Sequence, residues 1–162
     1  MNHQTNSGSK KWAALSNKEQ SRIFTGESYL PLPSPHAERI EALFGIKAVQ
    51  LGRELLKDVP GYSASANGKF QRNEMRSIAD SWNSPQDVQA TREWLHRRSV
   101  PYSTSIYLVY DEIVVATEWK LLVKYWDAFS WSVGVAMLAL NERKSWVCEF
   151  HHEDVITFQS YE

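Results

Sequence analysis

The densest run of side chains able to do chemistry is His151-His152-Glu153-Asp154, which begins three positions beyond the single cysteine, Cys148. Such residues could ligate a metal or exchange protons with a substrate. Their spacing is unfavourable on a strand, where neighbouring residues point to opposite faces, so His151 and His152 cannot chelate one ion unless the strand ends between them. Cys148 and His152 would share a face but lie roughly 13 Å apart at about 3.3 Å per residue, too far for a nucleophile and its base. Cys148 is read as a small core hydrophobe. The chain contains no phosphate-cradling glycine loop, no Gly-x-Ser-x-Gly and no His-Glu-x-x-His. A small metal-dependent or acid–base enzyme using His151 to Asp154 is therefore kept as the alternative function, and no cofactor is expected.

Charge offers two further candidates. Arg92, Trp94, His96, Arg97 and Arg98 make one helical segment end basic. Cations suit a helix C-terminus, and a nucleic-acid surface there lacks a binding motif to support it. Residues 1–99 hold fourteen Lys/Arg against ten Asp/Glu, whereas residues 100–162 hold four against nine. An acidic segment of this kind repels nucleic acid and attracts basic partners. Asp111, Glu112, Glu149, Glu153 and Asp154 fall at expected strand ends or outward strand positions, where sheet pairing could gather them. Tyr125 and Trp131 lie off the apolar helix stripe described below and are the candidate exposed aromatic anchors.

The elements that must position these residues read as one α+β domain. Residues 1–11 are polar and predict a flexible tail, followed by a single domain over 12–162 that is helical in 12–99 and sheet-forming in 100–162. Ser16 and Glu19 match a capping box, which predicts a short helix to about Phe24. The prolines of Leu30-Pro-Leu-Pro-Ser-Pro35 break it, and Ser34-Pro35 then starts a long helix to about Lys57, in which Ile40, Leu43, Phe44, Ala48, Leu51, Leu55 and Leu56 recur at helical steps. Residues 59–68 predict a surface loop, residues 71–82 a helix, and Ser84-Pro85 the start of another.

From Ser103 the period becomes two, which predicts strands over about 103–110 and 112–117. Trp119, Leu122, Val123, Trp126 and Phe129 then form one helical stripe, read as core. Val133–Leu140, Ser145–His151 and Val155–Phe158 complete an antiparallel sheet of about four strands, covered by helices including the long N-terminal one. The start of the chain lacks an apolar signal segment, a bilayer-length stretch is missing, and one cysteine allows no internal disulfide. These features predict a cytoplasmic protein without a membrane span.

The pattern Tyr107-x-x-Tyr110, Val114, Thr117-x-Trp119, Trp126-x-x-Phe129, Gly134 and Val147-x-x-Phe150-His151 resembles a family of small bacterial domains of unknown function, whose architecture is similar to that of toxin-system immunity proteins. The resemblance covers the last third of the chain. It implies a non-catalytic module that neutralises a cognate toxin, and the acidic final segment makes the expected partner a basic protein; the family has no established catalytic residues to carry over.

Overall fold

The computed structural model describes residues 8–64, 66, 68–130 and 136–161. Along the chain lie β1 (Lys10–Lys11), α1 (Asn17–Ile23), α2 (Ser34–Ala37), β2 (Glu41–Phe44), α3 (Ile46–Leu56), β3 (Arg72–Ser77), α4 (Pro85–His96), β4 (Ser105–Val109), β5 (Ile113–Glu118), α5 (Trp119–Ser130), β6 (Met137–Asn141), β7 (Trp146–His151) and β8 (Val155–Ser160). The strands form one antiparallel sheet in the order β1-β2-β5-β4-β6-β7-β8-β3. The α+β class stands, but the expected sheet of about four strands is in fact one of eight.

Three of those strands come from the segments read as tail or helix, each for a physical reason. Lys10 and Lys11, assigned to the tail, pair with Ala42 and Glu41 as the edge strand β1. The long helix expected from Pro35 to Lys57 is broken into α2, β2 and α3. Its apolar residues satisfied a helical period, yet Glu41–Phe44 pairs with β5, which buries Ala42 and Leu43 on opposite faces of the sheet. Gly45 then turns the chain into α3 at φ +81°, a conformation that glycine adopts without strain. The helix expected over 71–82 is β3 followed by a 3₁₀ turn at Ala79–Asn83. Its inner face carries Arg72, Glu74 and Arg76, which pair with one another and with α4, so no apolar alternation marked the strand.

Where local rules and packing agree, the elements follow the sequence. Ser16 Oγ accepts from Glu19 N at 3.1 Å while Glu19 Oε1 accepts from Ser16 N at 2.9 Å, closing the capping box of α1. Ser84 caps α4 by accepting from Asp87 N at 3.1 Å, with Pro85 in the first turn. The α5 stripe is core: Trp119, Leu122, Trp126 and Phe129 are all fully buried.

The sheet is the middle of three layers. One face packs α4, α5 and the N-terminal Trp12, Leu15, Ile23 and Phe24 against Ile106, Leu108, Val115, Cys148, Phe150 and Phe158. The other face packs Ala48 and Leu55 of α3, together with Val59, against Leu43, Val109, Val114, Leu140 and Val147. Gly52 permits the close approach of α3, because a Cβ there would lie 3.2 Å from Val109 Cγ1. This helix and the chain after it cover the sheet from β2 to β7, and the α3-side face of β3 is open, with Met75 exposed.

Candidate functional site

The strand register fixes where the predicted acids meet. Val109 pairs with Leu138, Met137 with Phe150, and His151 with Val155. The turn after β4, carrying Asp111 and Glu112, and the turn after β7, carrying Glu153 and Asp154, therefore lie at the same end of the sheet. About three strand spacings separate them, roughly 14 Å. Asp80 joins this end, because Ile78 N donates to Asp154 O at 2.8 Å just before the 3₁₀ turn that holds it.

The fold pairs some acids with Lys or Arg and leaves others, Asp111, Glu112, Glu153 and Asp154 together with Glu27, Glu38, Glu54, Glu93 and Glu142, without such a partner among the described residues. Glu19, Glu41, Glu74, Asp87 and Glu118 each face a Lys or Arg. Among the described residues, Asp111, Glu112 and Asp154 are in no ion pair, and Glu153 faces only His152 at 3.9 Å with both side chains largely exposed.

Glu149 differs from this group. It sits on the α3 side of β7, its side chain 15 % exposed, and both carboxylate oxygens are engaged inside the molecule. Tyr62 Oη donates to Oε1 at 3.0 Å, and Oε2 lies 2.7 Å from His151 Nδ1. A carboxylate only accepts, so Nδ1 carries the hydrogen; in the neutral ring Nε2 then accepts from Thr157 Oγ1 at 3.1 Å. Burial first, and then the charge of Glu149, raise the pKa of the Tyr62 phenol. The result is a chain Thr157–His151–Glu149–Tyr62 in which a hydroxyl, an imidazole and an orienting carboxylate stand in the order used by nucleophilic hydrolases.

Tyr62 also borders an open groove of about 620 Å³ between α3 and the sheet, whose lining includes Gly52, Arg53, Leu56, Val109 and Asp111. Asp111 thus lines the groove, and Tyr62 joins the groove to the Glu149 chain. Sequence reasoning missed Tyr62 and Thr157. The alternation along β7 and the tight return into β8 place Glu149, His151 and Thr157 on one face, a signal present in the residues; the reach of Tyr62 from its loop had none.

Other expected contributors fall elsewhere. Tyr125 is 2 % exposed, not an exposed anchor: α5 departs from helical geometry at this residue, its ring packs edge-on against Phe24 and Tyr29, and its hydroxyl lies 2.7 Å from His36 Nδ1. Trp131 lies outside the described residues. The His151–Asp154 run is split, with His151 held by Glu149 and Thr157 while His152 is exposed on the turn. Among the described residues no group of three His, Cys, Asp or Glu side chains is placed to hold a metal ion. Cys148 is buried, and burial raises its thiol pKa well above the ordinary range, opposite to an activated nucleophile.

The basic end of α4 is largely committed to internal partners. Arg92 donates to Tyr29 Oη at 2.7 Å and to Lys124 O at 3.0 Å, and Arg98 pairs with Glu74 across the ring of Trp94.

No family model, curated protein or solved structure matches the chain. The resemblance to immunity-type domains thus rests on the aromatic positions that suggested it. Among the described residues no helix is long and apolar enough to cross a membrane.

Proposed function

We propose that this chain is a non-catalytic binding protein that docks a basic protein through the acidic end of its sheet, in the manner of an immunity protein covering a toxin. The observation that carries the reading is the gathering of Asp111, Glu112, Glu153 and Asp154 at one sheet end without internal cations to neutralise them. Uncompensated charge of one sign steers an oppositely charged partner and accelerates encounter. Both turns join hydrogen-bonded strands, so little chain has to be ordered on docking. A nuclease toxin, whose own site must attract phosphates, has the complementary surface.

The test is association kinetics with the partner captured from source-cell lysate. Asp111→Lys, Glu112→Lys, Glu153→Lys and Asp154→Lys combined should slow association at least about tenfold and flatten its salt dependence, while the melting temperature stays close to wild type. An on-rate indifferent to both the reversal and salt would sink the reading.

A specific observation favours a second reading, acid–base chemistry at Thr157–His151–Glu149. In that case a fluorophosphonate ester would label Thr157, and His151→Gln would abolish labelling. An unlabelled Thr157 would reject this alternative without touching the first.

A further inference from the structure

The opposite end of the sheet holds a pocket of about 430 Å³ on the α4 side, between the end of α4, the β6–β7 hairpin and the start of β3. Three guanidinium groups line it: Arg72, Arg98 and Arg143. Arg72 and Arg98 both form ion pairs with the single carboxylate of Glu74, Arg72 also donating from Nε to Oε1 at 2.8 Å and Arg98 Nη1 facing Oε2. Arg98 is nearly enclosed, its side chain 10 % exposed and held by its Nε bond to Trp94 O at 2.9 Å. Burial first, and then the neighbouring charge of Arg72, lower its pKa. Arg143 has no ion pair among the described residues.

The hairpin adds a prepared neutral donor. Asn141 Nδ2 donates to Ser145 Oγ at 2.7 Å, and Asn141 Oδ1 accepts from Ser145 N at 3.0 Å. The Ser145 oxygen is thereby fixed, and its own hydrogen remains to be given to an acceptor in the pocket. The floor is aromatic, Trp146 stacked on Phe158 at 5.5 Å between centroids, and Tyr161 is exposed at the rim. Three arginines against one glutamate leave two positive charges uncompensated, and a phosphate monoester carries about −1.5 to −2 at neutral pH. Planar guanidinium forks match such oxyanions in geometry as well as charge. The volume suits a small molecule, and the region's few exposed cations do not form the extended stripe that a nucleic-acid backbone follows.

We propose that this pocket binds a small aromatic phosphate monoester, its dianion between Arg72, Arg98 and Arg143 and its ring against Trp146 and Tyr161. The site lies at the end of the sheet away from the acidic turns and does not depend on the docking function proposed for them.

Calorimetric titration of the full chain with phenyl phosphate tests it, with phenyl sulfate, inorganic phosphate and a twelve-nucleotide single strand as comparators. The expected result is saturable one-to-one binding of phenyl phosphate, at least about tenfold tighter than phenyl sulfate, which has one charge fewer, and tighter than inorganic phosphate, which has no ring. Arg143→Gln, at an exposed position outside the Glu74 pairing, should weaken binding at least about tenfold without lowering the melting temperature. Resonances of the Arg72 and Arg98 Nε groups should shift on addition of phenyl phosphate. No saturable heat, equal affinity for phenyl sulfate, or an unaffected Arg143→Gln variant would overturn the assignment. So would a single strand that binds more tightly than phenyl phosphate with a steep salt dependence, which would mark this end as a nucleic-acid surface.

Discussion

At the scale of single residues, two tyrosines show how burial and a neighbouring carboxylate combine. Tyr29 donates to Asp127 at 2.8 Å, and burial first, then this bond and the charge of Asp127, push its phenol up to about 12. An unfolded tyrosine titrates near about 10. The folded pKa is the higher one, so the contribution of Tyr29 is complete below about pH 10 and is lost as pH rises through about 12. Unfolding measured across that window should show a shallower loss of stability in Tyr29→Phe than in wild type, and absorbance near 295 nm should show one late-titrating phenol fewer. An unchanged alkaline profile would contradict the Tyr29–Asp127 assignment.

Tyr62 makes the corresponding bond to Glu149 from the opposite side of the sheet. Tyr62→Phe should cost about 1.5–3 kcal/mol, the net worth of a hydrogen bond to a charged group, measured by urea unfolding. A cost indistinguishable from zero would mean that the bond to Glu149 does not hold in solution.

At the scale of elements, legibility tracked whether an element's own side chains carry its burial. The stripe of α5 was readable because Trp119, Leu122, Trp126 and Phe129 meet the sheet themselves. Trp126→Ala should cost about 3–5 kcal/mol, and an unchanged unfolding midpoint would contradict its place in the core. Ser16→Ala should cost about 1 kcal/mol through the lost cap of α1, with a smaller effect at position 17, which makes no such bond. The alternation of β4 and the β7–β8 hairpin were readable for the same reason as α5.

The strands that escaped reading lack that self-sufficiency. Four residues of β2 fitted a helical period as well as a strand, and only the partner β5, more than sixty residues later, decides between them. In β3 the inward positions are Arg72, Glu74 and Arg76, met by Thr91 and Asp87 of α4 and by Arg98 just beyond it, so the usual apolar mark of a strand is absent. Of the candidate site, the acids were legible as residue types, but their meeting at one end required the register of β4, β6 and β7. The burial of Tyr125 required the aromatic segment from Phe24 to His36, which no local pattern joins to α5.

At the scale of the whole molecule, the sheet separates charge along its strands. Asp80, Asp111, Glu112, Glu153 and Asp154 stand at one end, while Arg72, Arg98 and Arg143 line the pocket at the other. The split seen along the sequence does not map directly onto this arrangement, since Arg143 belongs to the acidic final segment and Asp80 to the basic first one. The sheet edges are charged as well, Lys10 and Lys11 on β1 and inward-facing Arg72 and Arg76 on β3. Charged edges hinder pairing with the strands of other chains. A protein arranged in this way can present its acidic end to a partner while its edges resist adding another strand.

The central claim is that the acidic end is the docking surface, and amide hydrogen exchange tests it most directly. The full chain is measured alone and after capture of its partner from source-cell lysate. A basic partner and slowed exchange concentrated in residues 110–113 and 151–155, with the arginine pocket unchanged, are the expected result. Capture of no partner, or slowed exchange at the arginine end with the two acidic turns unaffected, would contradict it.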